Sequence, residues 1–232
     1  MVTIYHERVE IVWMLQKLLH HEVRPKRYIF SCLNRRYIYH DFRPVQPFGQ
    51  GFVKFVGTSE DGTYRNPHDL NLIVVTRSTT AQGQDRDVFD RSDTEKTVCT
   101  SSRRKTSRDT GNWVSFDIRG SGRVLKPTHY SIKHGYKLKK YVLYNWVFEA
   151  SRDDGSEWTV LKKHEEDRSL YDSSDGICSY AIDDDDFGPN PYFGIFRLRM
   201  TGCNTGSSER FNDSKSYTLI LRQFEVYGKS FG

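Results

Sequence analysis

The chain has 232 residues, enough for one well-buried domain or two small ones. At 36% hydrophobic residues it is too apolar for a disordered chain and too polar for a membrane bundle, and no apolar run approaches the roughly 18 residues of a membrane span. The formal net charge of +5, with both signs interspersed, permits an acidic partner without requiring one.

Taken in chain order, Ile4, Ile11, Leu15, Leu18 and Leu19 fall at helical spacing, and Pro25 ends the pattern. A short N-terminal helix is therefore expected. Residues 28–41 are aromatic and basic. Together they make a leader, 1–41, that either packs on the main domain or ends a preceding helical one. From Phe42 onward short extended runs are punctuated by Gly, Pro, Asn and Asp, which defines a second region, 42–232. Phe52 to Val56 is one such run, followed by a turn over residues 57–62, and Leu70 to Thr76 is another. Val114, Phe116 and Ile118 alternate onto one face, as do Thr128, Tyr130 and Ile132. Trp146, Phe148 and Ala150 alternate, the turn Asp153-Asp154-Gly155 follows, and Trp158 to Leu161 resumes, a hairpin signature. Phe196, Leu198 and Met200 alternate against Arg197 and Arg199, which therefore face away from the apolar side and can pair with Asp167 or Glu149. In the last run Leu219 and Leu221 give way to Phe224 and Val226 in the opposite phase, as a β-bulge near Arg222-Gln223 would cause. At least seven strands without a helical period predict an all-β antiparallel sandwich. Ser78 to Asn112 and Asp183 to Pro191 read as polar loops.

The cysteines Cys32, Cys99, Cys178 and Cys203 are widely spaced, with no C-x-x-C pair, so reduced thiols and no structural metal are expected. No secretory leader precedes them, which points to a cytoplasmic location, with the nucleus as the alternative. His20-His21-Glu22 and His164-Glu165-Glu166 lack metal or acid–base spacing and read as solvated surface. The run Asp183 to Asp186 lacks the spacing of a calcium loop. The clusters Arg103-Arg104-Lys105 with Arg108 and Lys137-Leu138-Lys139-Lys140 lack the interleaved aromatics of a nucleic-acid surface. Trp113, Trp146 and Trp158 read as core fillers. No nucleophile elbow, P-loop, dinucleotide fingerprint or H-E-x-x-H is present.

Several strings carry a family pattern. Asn145-Trp146-Val147-Phe148-Glu149-Ala150-Ser151, Asp154-Gly155 and Trp158-Thr159 resemble the N-W-x-F-x-x-S-x-D-G-x-x-W-T hairpin of F5/8 type C (discoidin-like) domains. Pro127 to Gly135, His164 to Leu170, Phe196 to Gly202 and Phe224 to Gly228 resemble further segments of the intracellular branch found in BTB–BACK proteins and HECT-type ubiquitin ligases, and Asn66-Pro67-His68 resembles its opening N-P-H. No Cys follows Cys203, so the end-to-end disulfide of secreted members has no counterpart. The resemblance covers roughly residues 45 to 228 and implies a galactose-binding-like jelly roll. It also implies a non-catalytic module for protein–protein recognition in an adaptor or ubiquitin-ligase-type system, with no cofactor. The second reading is a carbohydrate-binding, lectin-like module, and the third an enzyme of unknown class. A protein or peptide is thus the first candidate partner and a carbohydrate the second, with no nucleic acid and no membrane insertion expected. The polar residues beside these motifs are Lys133, His134, Asp167, Arg168 and Arg199. They form either a recognition patch or a set of hydrogen bonds pinning loops to strand ends. Two open tryptophans in one groove would favour the sugar.

Overall fold

The computed structural model describes residues 40–92, 96–101, 111–135, 141–183, 187–188, 190–204 and 217–232. The alternating apolar runs form two antiparallel sheets. In the first, β1 (His40–Phe42), β10 (Thr218–Phe231), β5 (Val124–His134) and β8 (Ile177–Ala181) lie in that order, and β3 (Val98–Ser101) also pairs with β10. In the second, the order is β2 (Val74–Arg77), β4 (Trp113–Asp117), β9 (Ile195–Met200), β6 (Trp146–Ser151) and β7 (Thr159–His164). The chain is an all-β, jelly-roll sandwich. His40 and Asp41, which the sequence grouped with the leader, pair with Ser230 and Lys229 of β10.

Period two puts Val114, Phe116, Phe196, Leu198, Trp146 and Phe148 of the second sheet against Tyr130, Ile132, Phe224 and Val226 of the first, all buried. Among the described residues, two stacked ring pairs join the sheets. Phe116 stacks on Phe224 with centroids 3.9 Å apart, and Phe148 on Tyr130 at 4.2 Å. The expected phase slip is present: the β10–β5 register shifts between Leu221 and Gln223. A second shift, at Tyr227/Gly228, places Gly228 at φ +143°, where a Cβ would lie 2.0 Å from the Lys126 carbonyl oxygen. Only glycine fits there.

Three expectations need correction. Phe52 to Val56 is not extended but belongs to helix α1, Phe52–Gly57. Its first turn is held by the buried Glu225 side chain, which accepts hydrogen bonds from the Val53 and Lys54 amides at 2.6 and 3.1 Å. A carboxylate at a helix start satisfies otherwise orphaned donors, and this one comes from β10, far along the chain. Of Leu70 to Thr76 only the end is a strand, and Leu70 is exposed. Ser78 to Asn112 is not simply a loop. It contains a 3₁₀ turn, Asp85–Phe89, capped reciprocally by Gln84 and Asp87, and also β3. The expected leader helix, Cys32, Arg103 to Lys105, Arg108, Lys137 to Lys140 and Asp184 to Asp186 lie outside the described residues.

Candidate recognition surfaces

The outer face of the second sheet is built around a carboxylate. Glu149 on β6 lies opposite Arg197 of β9 and points away from the core, yet it is only 1% exposed. Arg197 Nε donates to its Oε1 at 2.5 Å, and Arg199 donates through Nε at 2.9 Å to Oε1 and through Nη2 at 3.1 Å to Oε2. The sequence expects one or both arginines to pair with Asp167 or Glu149, and both pair with Glu149. The Arg197 guanidinium lies 3.7 Å from the Trp158 ring centroid and 5.8 Å from that of Trp113. Burial lowers the Arg197 pKa from its ordinary value, against the opposing pull of Glu149. Trp113 and Trp158 are therefore half-buried on the outer face and not core fillers; only Trp146 of the three is in the core. Their rings are shared with an arginine through cation–π contact.

A second polar cluster lies inside, where the sandwich edge meets the loop after β7. His164, expected on the surface, is 4% exposed and stacks flat on Trp146. Trp146 belongs to β6 and His164 is its cross-strand partner on β7, so the hairpin itself sets this contact. A carboxylate accepts only, which fixes the direction of the chain of bonds. His164 Nδ1 donates to Asp167 Oδ2 at 2.6 Å, Nε2 accepts from the Tyr130 hydroxyl at 2.7 Å, and the Tyr130 oxygen accepts from Trp146 Nε1 at 3.1 Å. Burial lowers the His164 pKa, outweighing the neighbouring Asp167 carboxylate, so the ring is neutral at pH 7. Burial raises the Asp167 pKa, but hydrogen bonds from Ser169 and His164 outweigh it and hold the carboxyl below its usual range. Every atom of this relay is matched within the protein, and Tyr130 has no exposed surface. It pins the loop to three strands, β5, β6 and β7.

The five residues singled out by sequence stand in different settings. His134 ends β5 and is buried, its amide bonded to the Gly176 carbonyl. Asp167 serves His164 and also caps Ser169, at 2.8 Å, where the short helix α2 (Ser169–Asp172) begins. Arg199 serves Glu149. Arg168 is 62% exposed, 3.9 Å from Asp172 and over the Tyr171 ring. Lys133 is half-buried and alternates away from the buried Ile132. Lys133 thus sits on the outer face of the first sheet and Arg199 on that of the second, so the five do not share one surface. Beside the relay, between β7 and β8, runs a cleft of about 450 Å³ lined by Lys162, Lys163, His164, Glu165, Asp167, Ser179, Tyr180 and Ala181. Of the five candidates the sequence offers, only Asp167 lines it, because the cleft is formed by the edges of two different sheets. Arg197's company was half legible, since Trp113 and Arg197 both stand out of phase with their apolar neighbours.

No family model matches the chain. Over 190 residues, 79% of the chain, it is 25% identical to the E3 ubiquitin-protein ligase Ufd4 of Drosophila melanogaster. Over 193 residues, 81% of the chain, it is 24% identical to the E3 ubiquitin-protein ligase hecd-1 of Caenorhabditis elegans. Each match takes up 6% of the ligase, so the chain spans only a small part of these relatives. Among solved structures it is similar to CpGH89CBM32-5 of Clostridium perfringens in complex with GalNAc-β-1,3-galactose, with 9% identity, a TM-score of 0.47, and 70% of this chain and 99% of that one covered. It is also similar to the F5/8 type C domain of a Bacteroides fragilis protein, with 15% identity, a TM-score of 0.44, and coverage of 68% and 91%. No helix among the described residues is long and apolar enough to cross a membrane.

Proposed function

We propose that this chain is a non-catalytic recognition domain that binds protein segments within a ubiquitin-ligase-type system. The observation that carries this reading is the similarity to a short stretch of two ubiquitin ligases along about four-fifths of the chain. A folded unit that occupies so little of a large ligase, and whose polar clusters are spent on pinning loops, is suited to presenting a rigid surface. Of the five polar residues, Lys133 and Arg168 are the ones proposed to meet a partner, with His134 and Asp167 holding the elements that carry them and Arg199 pairing with Glu149 on the other sheet.

Carbohydrate binding is the second reading, favoured by Trp113 and Trp158 on one outer face. Stacking a sugar on Trp158 would compete with the guanidinium 3.7 Å from its ring centroid, and for that reason it ranks second. Affinity capture from cell extract with the wild type and a Lys133→Ala/Arg168→Ala variant tests both. Partner proteins held by the wild type and lost by the variant are expected. Unchanged partners would remove these two residues from the site, and glycoproteins released by free sugar would reverse the order of the readings.

A further inference from the structure

The edges of the two sheets are finished differently. On one side of the sandwich, Arg77 of β2 reaches across to the carbonyls of Gln82, Cys99 and Gly83 at 2.8, 3.3 and 2.7 Å. There Gln82 bridges the outer side of β3 through Cys99, with N···O distances of 3.0 and 3.4 Å. There the edges of β2 and β3 are joined. On the other side β7 is defended: it carries Lys162 and Lys163 side by side, and a register shift opposite Phe148/Glu149 interrupts it. Charges and bulges are how natural sheets keep an edge from pairing.

Strand β8 has neither device. Its sequence, Ile-Cys-Ser-Tyr-Ala, has no charge and no proline, and its pairing with β5 is regular from Lys133↔Ile177 to His129↔Ala181. Among the described residues it pairs with β5 alone. The flanking bonds give the phase. His134 N donates to Gly176 O, and Ile182 N to Thr128 O, so even-numbered residues from 176 to 182 turn their backbone groups toward β5. The backbone groups of Ile177, Ser179 and Ala181 then point outward. Those of Ile177 are taken by the Ser173 hydroxyl, which bonds both its amide and its carbonyl. Ser179 and Ala181 remain, both exposed, at the wall of the cleft.

We propose that β8 is a docking edge at which an extended segment of a partner protein adds as a further strand, with alternate side chains entering the cleft toward Lys162 and Tyr180. Only an extended backbone supplies the donor and acceptor ladder that such an edge lacks. A single strand also fits a cleft of about 450 Å³ where a folded body does not. This rests on the reading of the chain as a protein-recognition domain.

The test is selection of linear peptides from a random display library against the whole chain. Hydrogen exchange of the backbone amides follows, with and without the strongest peptide, together with its affinity for Ala181→Pro. That substitution removes one outward N–H, closes a small ring onto the backbone nitrogen, and puts proline where an edge strand tolerates it. Protection of the Ser179 and Ala181 amides is expected, with affinity for the variant weakened about ten-fold, the equivalent of one lost hydrogen bond. If the variant fails to fold, the exchange pattern of the wild type decides alone. Protection confined to another surface, with affinity for the variant unchanged, would overturn the docking edge and leave the recognition reading standing. Protection of the same amides on self-association would assign the edge to a second copy and overturn the proposal. Failure to select any peptide, with binding on a glycan array, would overturn both.

Discussion

The His164 imidazole lies on the Trp146 indole with centroids 4.0 Å apart and planes 6° from parallel. The stack places both ring nitrogens of His164 against fixed partners, Asp167 on one side and the Tyr130 hydroxyl on the other. A second proton on Nε2 would force the Tyr130 oxygen to accept from both His164 and Trp146, leaving its own hydrogen without an acceptor in the core.

Acid should therefore loosen the fold through this residue. Burial sets the His164 pKa in the folded chain below the ordinary 6.5, so the unfolded chain binds the proton more readily. The stabilisation is complete above 6.5 and drains away as pH falls from there through the lower folded value. Asp167 acts separately: its folded pKa lies below 3.8, so its contribution is lost only in stronger acid. His40 and His129 are also held low by burial, so the comparison must be with a single variant. Urea midpoints between about pH 7.5 and 5.5 should fall more steeply for the wild type than for His164→Asn. Equal slopes would show that His164 is not the group responsible.

Tyr130→Phe isolates the hydroxyl. It keeps the ring stacked on Phe148 but leaves the Trp146 N–H and His164 Nε2 buried without partners. A loss of about 1–3 kcal/mol is expected from denaturant unfolding. A loss near zero would mean that water replaces the hydroxyl.

How much of this was legible in the sequence follows the range of the forces involved. Period-two apolar runs are local, and they placed β4, β5, β6, β9 and even the slip in β10. Helix α1 was not legible, because Phe52 to Val56 is as apolar as a strand. What decides its shape is Glu225, an anion supplied from β10 to the helix start. Trp113 and Trp158 were misplaced because a large ring reads as core by composition. Their true phase shows only beside Arg197, whose pairing with Glu149 crosses two strands.

The Glu225 cap carries its own prediction. Its carboxylate has no exposed surface and pairs with Arg91 Nη2 at 2.7 Å. The backbone closes around it so tightly that a Cβ on Gly51 would lie 2.2 Å from the Glu225 side chain. Glu225→Gln removes the charge and leaves Arg91 uncompensated, and about 3–5 kcal/mol of stability should be lost. Gly51→Ala should destabilise as well, by displacing the carboxylate from the α1 amides. Thermal melts of both, with amide exchange at Val53 and Lys54, would check this. Unchanged exchange at those amides in Glu225→Gln would show that the helix start does not depend on the charge.

The outer face separates recognition of protein from recognition of sugar. If Trp113 and Trp158 serve to clasp Arg197, then Trp158→Ala removes a half-exposed cation–π contact and should cost only about 0.5–1 kcal/mol. Peptide affinity should be unchanged, since β8 lies in the other sheet. Arg197→Lys should cost more than that substitution usually does, because an ammonium cannot both donate to Glu149 from Nε and lie flat on the indole. Arg199 would then carry Glu149 alone. If the rings are instead a sugar platform, Trp158→Ala abolishes glycan binding while Arg197→Ala, by uncovering the ring, strengthens it. Paired melts and glycan-array binding of the three variants give opposite patterns, and glycan binding that rises in Arg197→Ala would establish the platform.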